Sequence, residues 1–199
     1  IDDMDLKISN NYGIALPSAS GGYRYPGLPQ STTASTGFEI FNGGIIQGAG
    51  KGRESHAIRF RSSFDWKIHD LYAYIYGDDC QIITSVWGSN KEVYNNKFYS
   101  NVTFLWNRHY PGNMMVDLRG STGQLYVHDN LLVGAPQVAI TMDADGDVDG
   151  RMYNNIIYMD GKFTNDYAIS GGTNNLQIFN NSIYGNGRGM HISRNNISV

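Results

Sequence analysis

The chain has 199 residues, 15 Lys and Arg against 18 Asp and Glu, a formal charge of −3 and a pI near 5.9. This balance argues against a nucleic-acid partner, which needs concentrated basic residues to displace counterions, and the absence of any run of 18 or more apolar residues argues against a membrane span. The 24 glycines, the many asparagines and a charged fraction of only 17% favour strands and tight turns over helices.

In chain order, residues 1–36 carry no repeated phrase and, with a Pro-, Gly-, Ser- and Thr-rich stretch over 16–36, read as an N-terminal arm or loop. From residue 37 onward a short phrase recurs: an apolar residue, Asn or Asp two places later, and a second apolar residue five places later. It reads Ile40-Asn42-Ile45, Ile68-Asp70-Ala73, Val93-Asn95-Phe98, Val127-Asp129-Leu132, Met152-Asn154-Ile157 and Ile178-Asn180-Ile183. Successive Asn/Asp positions are 28, 25, 34, 25 and 26 residues apart, which marks a stacked array.

A second alternating run precedes most phrases, at 57–60, 81–84, 114–118, 138–142 and 167–170, so each period offers at least two short strands. Strands this short and evenly spaced leave no room for helical crossovers, and a propeller blade needs a longer repeat. The expected fold is all-β, a single right-handed parallel β-helix (solenoid) of about six to seven coils over 37–199. The phrase Asn would take a left-handed backbone at a turn and stack its amide on equivalents in adjacent coils. Cys80 is the sole cysteine, so stacking must hold the fold without an internal disulfide. The start at Ile1 and the end at Val199 in mid-phrase suggest a fragment or processed part of a longer chain.

The apolar-x-Asn-Asn-x-apolar strand resembles right-handed parallel β-helix proteins of the pectate-lyase and polygalacturonase type, a group that includes phage tailspikes. Two stretches extend the likeness. Gly77-Asp78-Asp79-Cys80 is similar to the paired-aspartate strand of polygalacturonases, and implies Asp78 and Asp79 as general acid and water-activating base of a glycoside hydrolase. Arg108, His109 and Pro111, with Arg119 downstream, resemble the pectate-lyase segment in which a basic residue removes the proton beside a uronate carboxylate. A cation such as calcium would offset the carboxylate charge.

Other residues suggest ligand contacts on their own chemistry. Trp87, Trp106 and Tyr110 could offer ring faces to sugars, with Asp117 holding hydroxyls. Asp143, Asp145, Asp147 and Asp149 place carboxylates on alternate residues around Gly146, a pattern able to wrap Ca2+. The long period between Asn95 and Asp129 is where an inserted loop would build a binding wall.

Together these readings predict an extracellular or secreted, or virion- or cell-surface, protein that binds an anionic polysaccharide and cleaves it by β-elimination, with Arg108, His109 or Arg119 as base or charge clamp. Hydrolysis by Asp78 and Asp79 is the alternative enzyme. A noncatalytic glycan-binding or structural β-helix is the rival class, as a homo-oligomer or through end-to-end stacking.

Overall fold

The computed structural model describes residues 5–8, 12–15, 35–49, 55–78, 80–104, 114–135, 137–143, 148–160, 167–193 and 197–198. Among the described residues there is no helix, and sixteen strands join one sheet through parallel pairs. The chain is a parallel β-solenoid, as the period of the phrase requires.

Three sheet faces follow one another in every turn. The pre-corner face stacks segments 66–69, 91–94, 125–128, 150–153 and 176–179. The post-corner face stacks 71–77, 97–101, 131–134, 156–159 and 182–185. The third face stacks 55–61, 80–86, 114–119, 138–143, 167–171 and 188–192. Within the stretch expected to be an arm, Asp5–Ile8 pairs with 44–47 and Tyr12–Ala15 with 56–59, so the parallel pairing reaches further toward the N-terminus than the phrase does.

The phrase makes the corner between the first two faces. Asn42, Asp70, Asn95, Asp129, Asn154 and Asn180 all have φ between 50° and 54°. This left-handed region is sterically costly for most side chains but accessible to Asn and Asp. The two apolar positions of each phrase then both point inward. One row is Ile40-Ile68-Val93-Val127-Met152-Ile178, and across the corner stands Ile45-Ala73-Phe98-Leu132-Ile157-Ile183. Nearly all of these side chains are buried, which supplies the main stabilisation at roughly 25 cal/mol per Å² of apolar surface removed from water.

The amide ladder stands one residue further along than the repeated Asn. Asn96, Asn130 and Asn155 are each at most 2% exposed, whereas Asn95, Asp129 and Asn154 beside them face solvent. Asn96 Nδ2 donates to Ile68 O (3.1 Å) and Asn130 Oδ1 (2.9 Å); Asn130 Nδ2 donates to Val93 O (2.9 Å) and Asn155 Oδ1 (3.0 Å). Asn155 continues to Asn181 at 2.9 Å, and each Oδ1 also accepts from a backbone N–H one coil away. The doublet divides the labour: the first Asn or Asp bends the chain, and the second satisfies the backbone groups that the bend would orphan.

On the third face both rows of side chains are buried. Ile58, Ile83, Val116 and Ile140 point into the coil, and the opposite row, Ala57, Ile82, Met115, Ala139 and Ala168, is 0% exposed as well. A strand buried on both sides reads as a continuous apolar run, which is how Met115-Val116 and Val138-Ala139-Ile140 appear in the sequence.

Candidate functional site

The pre-corner face carries the densest outward array of polar groups. Its central row is Glu39-Lys67-Glu92-Tyr126-Arg151-Gln177, in register from coil to coil. At the far edge, Asp65 and Asn90 hold left-handed conformations, with φ of 54° and 51°. Asn90 Nδ2 donates to Asp65 Oδ1 at 2.7 Å, and Asn90 Oδ1 accepts from the Gln124 backbone at 3.1 Å. Between these rows lies a groove of about 370 Å³ lined by Asp65, Trp66, Lys67, Asn90, Lys91, Glu92, Gln124 and Tyr126.

The other edge of the face is a column of rings. Phe41, His69, Tyr94, His128, Tyr153 and Phe179 precede the six left-handed residues and stack with centroids 4.5–5.2 Å apart and planes within 12°. Each ring covers its neighbours' faces, so the column presents a wall of edges rather than open platforms. Its two histidines are tied down: His69 Nδ1 lies 2.6 Å from Asp70 Oδ2, and His128 stands 2.7 Å from Asp129 and 3.1 Å from Glu92.

Charges within the groove are mutually engaged. Glu92 lies between Lys67 (3.2 Å) and His128 (3.1 Å). Burial works against its charged form, but the hydrogen bonds to His128 and Lys67 and their positive charge outweigh burial and hold the carboxyl below its usual range. The hydrogen bond to Glu92, then its charge, raises Lys67 in turn. Glu92 therefore binds and orients as an anion and is poorly suited to donate a proton. Tyr126 donates to Asp149 Oδ2 at 2.7 Å while the Arg151 guanidinium lies 5.1 Å above its ring. Burial and then the Asp149 hydrogen bond push the phenol pKa up, so it remains a hydroxyl donor.

Several residues singled out in the sequence fall outside the described residues: Asp79, Trp106, Arg108, His109, Tyr110, Asp145 and Asp147. Asp78 ends the strand Ser55–Asp78 on the post-corner ladder, opposite Phe104, at the corner that leads into 80–86 of the third face. Arg119, in register with Val86, stands near the opposite edge, and the intervening 80–86 spans roughly 20 Å at about 3.3 Å per residue. The structure does not bring those two together. Asp117 is fully buried and holds Arg119 through Nε at 2.8 Å and Nη2 at 2.5 Å. Asp149 gives its two oxygens to Arg151, at 3.1 Å each, as well as to Tyr126, and Asp143 lies on the third face. Among the described residues no cluster of three or more His, Cys, Asp or Glu could hold a metal.

The third face adds a buried relay that the sequence reading did not single out. Arg59 Nη1 donates to His56 Nε2 at 2.8 Å, so His56 Nδ1 carries the hydrogen and donates to Thr84 Oγ1 at 2.9 Å; Thr84 passes its own to Gln81 Oε1 at 2.6 Å. Directed this way, the Thr84 hydroxyl is held as a donor to an amide and is not activated by the imidazole, which fits a structural role. The post-corner face presents the other exposed apolar surface: Tyr72, Tyr76, Ile156, Tyr158 and Tyr184 are each 43–57% exposed.

The groove residues had a signal in the sequence. Every phrase is preceded directly by a long polar side chain (Glu39, Lys67, Glu92, Tyr126, Arg151, Gln177), and a ring follows its first apolar residue. Aligning the phrases for those positions as well as for Asn would have exposed both columns. Searches with family models, curated protein sequences and solved structures return no match to the chain. The fold class, a parallel β-solenoid, is thus defined by its own geometry, and among the described residues no helix is long and apolar enough to cross a membrane.

Proposed function

We propose that the protein binds a polysaccharide chain along its pre-corner face without cleaving it. The observation that carries this is the groove itself: donors and acceptors recur at every level along the solenoid axis, about 4.8 Å apart, beside a rigid wall of stacked rings. A polymer with a repeating unit can meet equivalent groups coil after coil, while a small ligand would use only one level. Carboxylates of Glu39, Asp65, Asp70, Glu92, Asp129 and Asp149 outnumber Lys67 and Arg151 on this face, which favours an uncharged chain over a polyuronide. Binding without cleavage agrees with Glu92, the carboxylate at the centre of the groove, being held as an anion between Lys67 and His128.

The test is calorimetric titration of the full chain with neutral β-linked glucans, mannans and xylans and with polyuronates, with and without calcium. Ultraviolet absorbance of unsaturated products and release of reducing ends are followed in parallel. Binding to a neutral polymer with neither product is expected. A rise in ultraviolet absorbance on a polyuronate would establish elimination instead, and new reducing ends would establish hydrolysis.

A second reading, lateral assembly of copies, is favoured by the half-exposed Tyr72, Tyr76, Ile156, Tyr158 and Tyr184 on the post-corner face. Sedimentation equilibrium separates it from the first: self-association abolished by Tyr158→Lys would support assembly, and a monomer at all concentrations would dismiss it.

A further inference from the structure

We infer that Lys91 is a positioning residue whose buried ammonium clamps the backbone of Trp87, so that the indole is displayed beside the groove as the platform on which a pyranose ring stacks. The stacking role rests on the glycan reading above. The clamp does not.

The argument begins with a residue out of place. Lys91 occupies the inward row Trp66-Lys91-Leu125, where its neighbours are apolar, and it is 1% exposed. An ammonium is almost never fully buried without partners. Its Nζ donates to the Trp87 carbonyl at 2.7 Å and to Ser121 Oγ, which passes its own hydrogen to Arg119 O at 3.0 Å. The lysine therefore ties one corner of its own coil to the next coil.

What it holds is strained. Trp87 has φ of 62°, a region that bulky side chains avoid, and Gly88 follows at 101°. A Cβ on Gly88 would stand 1.8 Å from Ser63 O, so the close approach of the two coils requires glycine there. Gly120 of the next coil leaves room for the indole: a Cβ there would come within 2.6 Å of Trp87 Cδ1. A clamp, two glycines and an unfavourable backbone thus converge on one large ring that is 43% exposed. Strain maintained around an exposed side chain points to a function.

The groove also needs such a ring. Trp87 stands three residues before the groove-lining Asn90, at the same corner. Tyr126 is covered by Arg151, Trp66 is buried, and beside the groove the rings of the stacked column, His69, Tyr94 and His128, show only edges. Pyranose C–H faces pack on aromatic faces, and the Trp87 indole is a large ring with 43% of its surface exposed at this corner.

The clamp has a signature that simple packing lacks. Burial lowers the lysine pKa from 10.5 to about 7, partly offset by Asp117. Its register partners Trp66 and Leu125, and the hydroxyl of Ser121, do not titrate near neutrality, so Asp117, itself paired with Arg119, is the charged group that acts on it. A charged donor makes the stronger hydrogen bond. Trp87 should accordingly be held more firmly at pH 6 than at pH 8.5.

The experiment uses the full chain in a Trp106→Phe background, where Trp66 is buried away from quencher and the acrylamide-quenchable fluorescence is that of Trp87, together with titration with a neutral β-linked hexasaccharide. Trp87→Ala is expected to weaken binding about tenfold or more, the size of the loss when a ring stacked on a nucleic-acid base is removed. Lys91→Met should change the quenching of Trp87, weaken binding to a similar degree and remove the decline in affinity between pH 6 and 8.5. Should Lys91→Met fail to fold, Ser121→Ala, which leaves the lysine but removes one anchor, provides the same comparison. Unchanged quenching in these variants, or a pH profile that persists in Lys91→Met, overturns the clamp. Full affinity in Trp87→Ala overturns the platform. If the wild type binds no oligosaccharide, the glycan reading falls and the stacking role with it, while quenching still decides the clamp.

Discussion

Asn96 donates from Nδ2 to Asn130 Oδ1 at 2.9 Å, and Asn130 repeats the gesture to Asn155 at 3.0 Å. Each amide in this line also reaches a carbonyl on one neighbouring coil and accepts a backbone N–H on the same side, so a single side chain serves several groups that water cannot reach. Buried unsatisfied groups cost about 1–3 kcal/mol each. The ladder therefore contributes to the register of the coils as well as to their stability.

Asn130→Ala should destabilise the fold by about 3 kcal/mol or more, because Val93 O, Asn96 N, Asn96 Nδ2 and Asn155 Oδ1 all lose a partner. Asn95→Ala should cost only about 1 kcal/mol, the price of a left-handed backbone on alanine, and Asn95→Gly less still. Denaturant unfolding of the three variants checks the order. Equal losses at positions 95 and 130 would contradict the division of labour within the doublet.

Lys91 gives the fold a pH dependence in the alkaline range. Its folded pKa of about 7 lies below the ordinary 10.5, so the unfolded chain binds the extra proton between those values and stability rises with pH across that window. At about 1.4 kcal/mol per unit the full effect is a few kcal/mol. Unfolding free energies at pH 6.5, 8 and 9.5 should increase in the wild type relative to Lys91→Met, in which this component of the slope is absent.

Glu92 acts at the acid end. Its carboxyl is held below the usual range, so the stabilisation from Lys67 and His128 is present above the unfolded value of about 4.5 and is lost as pH falls through the folded one. Thermal melts between pH 6 and pH 3 should show a steeper fall for the wild type than for Glu92→Gln. Parallel profiles would mean that the Lys67–Glu92–His128 link contributes nothing measurable, the usual fate of exposed pairs.

Binding should localise to the pre-corner face. Tyr126→Ala and Asn90→Ala should each weaken a neutral oligosaccharide about three- to thirtyfold, the loss of one or two hydrogen bonds and their packing. Tyr158→Ala, on the post-corner face, should leave that affinity unchanged. Titration calorimetry with circular dichroism on each variant checks both, and a loss confined to Tyr158→Ala would move the site to the other face.

The Asn phrase gave the architecture because its two features are local. The spacing of two apolar residues around a corner and the left-handed bend at Asn or Asp are properties of a few consecutive side chains. The stacking that follows from their repetition needs no distant information. Even here one assignment shifted: the bend and the amide ladder, read as one Asn, belong to adjacent residues, because the first amide turns to solvent while the second turns inward.

The sites were less legible. The residues marked by resemblance, Asp78 and Arg119, stand on different faces, one closing the post-corner ladder and the other on the third face, because distance around a coil depends on where each corner falls and not on separation along the chain. Lys91 reads in sequence as one more polar residue of an alternating strand, yet it occupies a core position beneath Trp87.

By itself, then, the sequence determined a stack of parallel coils, their common corner and the apolar rows beneath it, since these follow from short-range sterics repeated at a fixed period. Only the tertiary structure decided which outward side chains meet. Register across coils brings together Lys67, Glu92 and His128 from three separate strands, and it sets the buried Lys91 ammonium against the Ser121 hydroxyl of the next coil. Such meetings arise from packing between coils, which no single repeat contains.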